Sequence, residues 1–147
     1  MTDQRYLLEL SRPDAMALLA TVPIGRLVFT HQALPAIRPV NHLVDGDKIV
    51  LGLTRGSAIA TSAAAAGTVV AYEADSLDPD SRTGWSVIVV GVARLEADAD
   101  AVLRYQSTLK PWLAGAMEDI VTISSEIVTG FRLVPSQPTT GTVRAAS

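Results

Sequence analysis

LPAIRPVNHLVDGDKIVLGLTRGS, residues 34–57, decides how the chain is read. Two apolar-rich runs flank Asp45-Gly46-Asp47. Asp-Gly between such runs is a strong short-range β-hairpin signal, because glycine accepts the positive φ that a tight turn demands. The hairpin then runs out into a small polar loop. Across it, Arg38, Asn41 and His42 come near Thr54, Arg55, Gly56 and Ser57, so cationic and hydroxyl side chains gather beside a glycine that lets a ligand approach the backbone. A small-residue helix is expected from Ser57 to Ala66, and the amides of its first turn lack partners within the helix, which suits an anion. On these residues alone a purely structural account is the stronger one, with Arg38 a snorkelling surface side chain and Ser57 only a helix N-cap.

Pro39 falls inside a strand, where it removes a ladder donor, and strand prolines belong at edges, strand starts or bulges. It therefore marks a place where the backbone leaves its neighbour and turns polar groups toward a ligand. Alternation puts Arg38, Val40 and His42 on one face and Pro39, Asn41 and Leu43 on the other. On that basis Arg38 and His42 share a pocket wall, and Asn41 joins them if the strand is bulged. His42 has a second reading, as a partly buried histidine bonded to the backbone.

Order and spacing add to this. RPVN at 38–41, then DGDKIVL, then the TRGS loop, and later GWSVIVVG at 84–91 together resemble the flavin-binding split-barrel family, in its small pyridoxamine 5′-phosphate oxidase-like branch of actinobacterial type. The resemblance runs from about Leu10 to Leu133. It implies a mainly β fold with short helices, an antiparallel, Greek-key-like split β-barrel of the FMN-binding type. It further implies that Arg38, Pro39, Val40 and Asn41 on the strand, with Thr54, Arg55, Gly56 and Ser57 in the loop, hold the flavin. Trp85 and Ser86 reach the same site, often from a second subunit. One departure stands out: the lysine that relatives carry after the small loop residue is Ala58 here. With that cation missing, the alternatives to FMN are a deazaflavin or no cofactor at all.

The remainder of the chain sets the frame. Its 147 residues fit one domain, expected over 1–134 with a C-terminal tail at 135–147, and 48% hydrophobic content is ample for a core. The net charge of −3 carries no basic footprint for nucleic acid. No run reaches the ~18 apolar residues of a membrane span, and the first ten residues do not read as a signal peptide. With no cysteine, disulfides, thiolate metal sites and cysteine nucleophiles drop out, and a cytoplasmic protein is the expectation.

Ser11-Arg12-Pro13-Asp14 opens a helix whose apolar stripe includes Ala15, Leu18, Leu19 and Val22, ended by Pro23 and Gly25; a strand follows from Gly25 to Thr30, and His31 reads as a solvated turn residue. Thr68–Asp75 is a strand, 76–83 a polar loop, and Trp85–Glu96 the longest strand. From Val87 to Ala93 that strand has no polar alternate, so its second face needs a cover. A second copy of the chain supplies one, making a homodimer; the chain's own helices are the competing cover. Gly91 suggests a bend or bulge. A helix over Ala99–Thr108 and strands over Asp119–Ile127 and Val128–Leu133 complete six or seven strands, closing a small barrel. Trp112 reads as a core plug, a dimer contact or a wall over a planar ring. No metal-ligand cluster, nucleophile elbow or glycosidase-type carboxylate pair is found. That silence is compatible with a flavin oxidoreductase acting on a small-molecule substrate, because the cofactor itself carries the electrons. A non-catalytic protein that binds a flavin, a deazaflavin or a haem-like ring is the rival reading.

Overall fold

The computed structural model describes residues 4–110, 118–136 and 143–145, with nine strands and three helices among them. In chain order these are β1 (Tyr6–Glu9), α1 (Arg12–Leu19), β2 (Ile24–His31), β3 (Leu34–Asp45), β4 (Lys48–Thr54), α2 (Ala58–Ala66), β5 (Thr68–Asp78), β6 (Thr83–Leu95), α3 (Ala99–Leu109), β7 (Glu118–Ser124), β8 (Ile127–Val134) and β9 (Val143–Ala145). No helix among the described residues is long and apolar enough to cross a membrane.

Local sequence explains most of these elements. Ser11 caps α1 by accepting from the Asp14 amide, proline occupies the first turn, and Asp14 faces the positive end of the helix dipole. Ser57 caps α2 in the same way, accepting from Ala60 N at 3.3 Å. At the β3–β4 turn only the first of the two central residues, Gly46, has positive φ (60°), the position at which a type II′ turn requires glycine.

The strands form an antiparallel circuit, β5-β2-β3-β4-β7-β6, closed by the β5–β6 ladder that runs from Thr68↔Ala93 to Asp78↔Thr83. β8, β1 and β9 extend outward from β6. β6 achieves this by changing partner. Its first part, Gly84 to Val90, pairs with β8, and its last part, Ala93 to Leu95, pairs with β7. Gly91 sits at the change, where a Cβ would lie 1.5 Å from the Ser124 carbonyl oxygen. Only glycine lets the two backbones come this close.

The barrel interior holds the main core, including Leu27, Ile49, Leu51, Tyr72, Val87, Val89, Val121 and Ile123, with α1 and α2 contributing Leu19 and Ile59. A smaller cluster of Val50, Ala101, Tyr105, Leu109 and Ile120 joins α3 to the opposite face of β4 and β7. β4 is thus covered on both faces. The outer face of β5, β6 and β8 is not: Val69 is 69% exposed, Ile88 43% and Ile127 59%, so the chain's own helices leave that surface open.

Three features go beyond the sequence reading or differ from it. β1 carries no strong strand pattern, yet it pairs with β8 from Tyr6↔Val134 to Glu9↔Phe131. The C-terminal tail, set apart from the domain in the sequence reading, supplies β9 as a backbone partner for β1, since an edge strand offers unpaired amides and carbonyls whatever the incoming side chains are. The break between the last barrel strands comes at Ser125-Glu126, earlier than the sequence suggests. The Ser125 hydroxyl donates to the Asp47 carbonyl at the hairpin tip, and Arg12 donates to Ser125 Oγ at 2.8 Å, which fixes the turn between α1 and the β3–β4 hairpin.

Candidate functional site

The site arises where β3 and β4 separate. β3 pairs with β2 from Leu34 to Asn41 but with β4 only from His42 to Asp45. Beyond His42↔Leu51, residues Gly52, Leu53 and Thr54 pair with β7 alone. The His42 amide donates to Pro23 O at 2.9 Å, which sets the parity of the β2–β3 ladder. Even-numbered residues of β3 direct their backbone groups at β2; Pro35, Ile37, Pro39 and Asn41 direct theirs at the gap. Both strand prolines therefore lack an N–H only on the side where there is no partner strand, the placement such prolines tolerate.

The gap opens into a cavity of about 600 Å³. Its apolar wall comes from Ile24, Leu27, Phe29, Pro39, Val40, Leu53, Ala58 and Ile59; its polar groups are Arg38, Asn41, Thr54, Ser57 and Glu118. All four residues of the RPVN run thus meet at one cavity with Thr54 and Ser57. No bulge is involved, because the β2–β3 register is unbroken from Ile24↔Asn41 to His31↔Leu34. The cavity instead wraps the free edge of β3, which brings side chains from both faces into contact with it. Asn41 is held by a hydrogen bond from Nδ2 to Leu109 O at the end of α3, 2.9 Å. The guanidinium of the exposed Arg38 donates to Ile37 O at 2.9 Å and lies 6.0 Å from the Phe29 ring centroid, at the cavity rim.

His42 does not share that wall. It is 6% exposed, with Nε2 2.9 Å from Leu19 O and Nδ1 against the Tyr72 hydroxyl at 2.5 Å. Burial is the main cause holding its pKa below the ordinary value. Nε2–H donates to Leu19 O, and the Tyr72 hydroxyl lies between His42 Nδ1 and Val40 O, the latter 3.0 Å away. The strand points His42 inward to tie α1, β3 and β5 together.

The loop after β4 also differs from the expected anion cradle. Gly56 has φ 74°, and its amide donates to Asp119 Oδ2 at 3.0 Å. Ser57 N donates to Thr54 O at 3.1 Å, and its hydroxyl caps α2. Arg55 Nε lies 3.9 Å from Asp119 Oδ1. Arg55 and Gly56 do not line the cavity, and the amides of Gly56 and Ser57 are engaged within the protein. An anion arriving here has to displace Asp119 from Gly56 or bind beside it.

The residue that sequence reasoning missed is Glu118. It lines the cavity at the start of β7, and its Oε1 is sealed from water without a hydrogen-bond partner among the described residues. Burial pushes its carboxyl pKa up. Room for it comes from Gly52, where a Cβ would meet the Glu118 carboxyl oxygens at 2.7 and 2.9 Å. A glycine interrupting an apolar strand, as in VLGLT, signals such a close approach and was the only available clue.

Trp85 and Ser86 are on β6, in register with Ser76 and Asp75 of β5, and line no part of this cavity. The Trp85 ring is buried in the chain's own core, alongside Val87 and Val89. Trp112 lies outside the described residues.

A family model described as pyridoxamine 5′-phosphate oxidase matches residues 11–145. The uncharacterized protein Rv0080 of Mycobacterium tuberculosis is 55% identical over 139 residues, covering 92% of this chain and 91% of that protein. Among solved structures, the FAD binding protein of Mycobacterium smegmatis is 29% identical, with a TM-score of 0.68 over 86% of this chain and 98% of its own. An FAD-binding protein of Mesorhizobium loti, 20% identical, shares the fold with a TM-score of 0.73 over 88% of this chain and 98% of its own.

Proposed function

From the premise that this chain belongs to the pyridoxamine 5′-phosphate oxidase family, with its split-barrel fold, we propose that it is a flavin-binding protein of oxidoreductase type. The observation that carries the reading is the cavity between β3 and β4. Its volume of about 600 Å³ lies within the usual range for small-molecule sites, and it combines a broad apolar wall with a few convergent polar groups. That combination fits a planar ring carrying a polar chain.

A bound flavin supplies the hydride or electron chemistry. The chain's own residues bind and orient it. Leu27, Phe29, Val40 and Ile59 exclude water from the ring. Thr54 and Ser57 offer hydroxyls, and the rim guanidinium of Arg38 meets a phosphate. FMN is the first reading. FAD is the second, favoured by the FAD-binding Mycobacterium smegmatis relative. The substrate is a small molecule whose identity the cavity leaves open. A homodimer belongs to the same proposal: Val69, Ile88 and Ile127 make an exposed apolar face on β5, β6 and β8 for a second copy to cover.

The test is titration of the purified protein with FMN, FAD and riboflavin, followed by flavin fluorescence and absorption. Removing a charged hydrogen-bond donor costs about 1.5–3 kcal/mol, so Arg38→Ala should weaken FMN binding roughly ten- to a hundredfold with the apoprotein melting temperature nearly unchanged. A wild-type protein that perturbs no flavin spectrum sinks the reading. Collapse of apoprotein stability with flavin affinity intact makes Arg38 structural.

A further inference from the structure

The carboxyl of Glu118 is the least comfortable group in the cavity. Its Oε1 is sealed from water and unpartnered among the described residues, while the residue lines the same space as Arg38 and Asn41. Gly52 keeps that seat open, since any side chain there would evict the carboxyl. Arg38 does not neutralise it, because its guanidinium is directed at Ile37 O and the Phe29 ring. Arg55 Nε lies 3.9 Å from the neighbouring Asp119 Oδ1. From α3, Gln106 reaches only the backbone carbonyl of Glu118, 3.2 Å away. β4 and α2 present Gly52, Thr54, Ser57, Ala58 and Ile59 to the cavity, none of them titratable. A charged oxygen sealed without a donor is costly, and a neutral acid removes that cost.

We propose that Glu118 is a specificity-determining residue that meets the cavity's ligand as an uncharged acid, donating its proton in a hydrogen bond to a carbonyl or ring-nitrogen acceptor. The inference rests on the flavin reading, and the acceptor belongs to the polar rim of the flavin ring. An ionised Glu118 would turn its lone pairs on that acceptor and repel it. Binding is therefore coupled to one proton: affinity is full while Glu118 is protonated and declines as pH rises through its pKa. A carboxyl recognising a cationic ligand would give the opposite slope. The upward displacement of the Glu118 pKa by burial agrees with the neutral form.

Riboflavin is the probe, because it lacks the phosphate whose own ionisation near pH 6 would confuse the profile. Titrating it by fluorescence between about pH 5.5 and 8.5 should show wild-type affinity falling severalfold or more toward high pH. Glu118→Gln, which keeps a donor without a titrating proton, should bind near the wild-type low-pH value with a flat profile. Glu118→Ala should be flat and about tenfold weaker, the scale of one neutral hydrogen bond. A wild-type profile that is flat or rises with pH overturns the proposal without needing any variant, and leaves the flavin reading standing. Equal affinity in wild type and Glu118→Ala does the same. Wild-type protein that binds no flavin at any pH overturns both.

Discussion

Asp119→Asn probes what the loop after β4 is for. In the wild type the Asp119 carboxylate accepts from the Gly56 amide at 3.0 Å and lies 3.9 Å from Arg55 Nε. A phosphate reaching the Gly56 amide would have to compete with Asp119 for it or bind beside it. Asparagine retains an acceptor for Gly56 and removes the charge. The Arg55 side chain is 58% exposed, so the lost ion pair is worth less than about 1 kcal/mol and the melting temperature should move little. The effect on a phosphate is larger. Two unit charges about 4 Å apart interact by about 1 kcal/mol in water and about 4 kcal/mol in surroundings of effective dielectric near 20. The loop is open to solvent, which favours the lower end. Relief of repulsion should tighten FMN by about 1–2 kcal/mol, roughly five- to thirtyfold. Riboflavin should be unaffected, and the FMN gain should shrink as salt is added. Parallel titrations of both flavins into both proteins at two ionic strengths decide the matter. Equal shifts for FMN and riboflavin, or none for either, would refute a phosphate at this loop and leave Arg38 as its only anchor among the residues proposed here.

Two further outcomes follow from the packing. Val89 is fully buried and Val90, next to it on β6, faces the open side of the sheet; Val89→Lys should unfold the barrel, whereas Val90→Lys should leave it folded and, in sedimentation, convert a dimer to a monomer. A wild-type monomer at working concentration would contradict the dimer. His42 gives stability an acid limb: its folded pKa is lowered, so below the unfolded value of 6.5 the unfolded chain takes up a proton that the native one refuses. Stability should then fall as pH drops from about 6.5 toward the folded pKa, by at most about 1.4 kcal/mol per pH unit. His42→Leu should abolish this part of the slope while costing about 1–3 kcal/mol at pH 8 through the orphaned Leu19 carbonyl, the Tyr72 hydroxyl keeping Val40 O as its acceptor. Persistence of the same slope in His42→Leu assigns it elsewhere.

Local chemistry made much of this legible. Asp-Gly at 45–46 fixes a hairpin, Ser11 and Ser57 announce two helices, and Pro39 points to the free edge of β3. Alternation alone misassigned His42 and left Asn41 outside the site, because it supposes that a strand has two separate faces. At the separated edge of β3 both faces reach the same space. Glu118 was out of reach for a different reason: its meaning depends on Gly52 across the β4–β7 ladder, a long-range pairing that no local pattern encodes. Asp119 reads as one more loop-side acid until its partner, the Gly56 amide, is known.

The separation of β3 from β4 also divides labour within the barrel. Closure depends on the continuous β5–β6 ladder and on the inward side chains of β6 and β7. The cavity is lined by Pro39, Ala58, Ile59 and their neighbours around a gap that no β3–β4 ladder crosses. Substitutions in the second set reshape the cavity without unzipping the first. A fold arranged this way can drift toward new ligands while its architecture stays put, so shared architecture says little about which small molecule any one member accepts. In this chain, Ala58 and Glu118 are where such drift would be written.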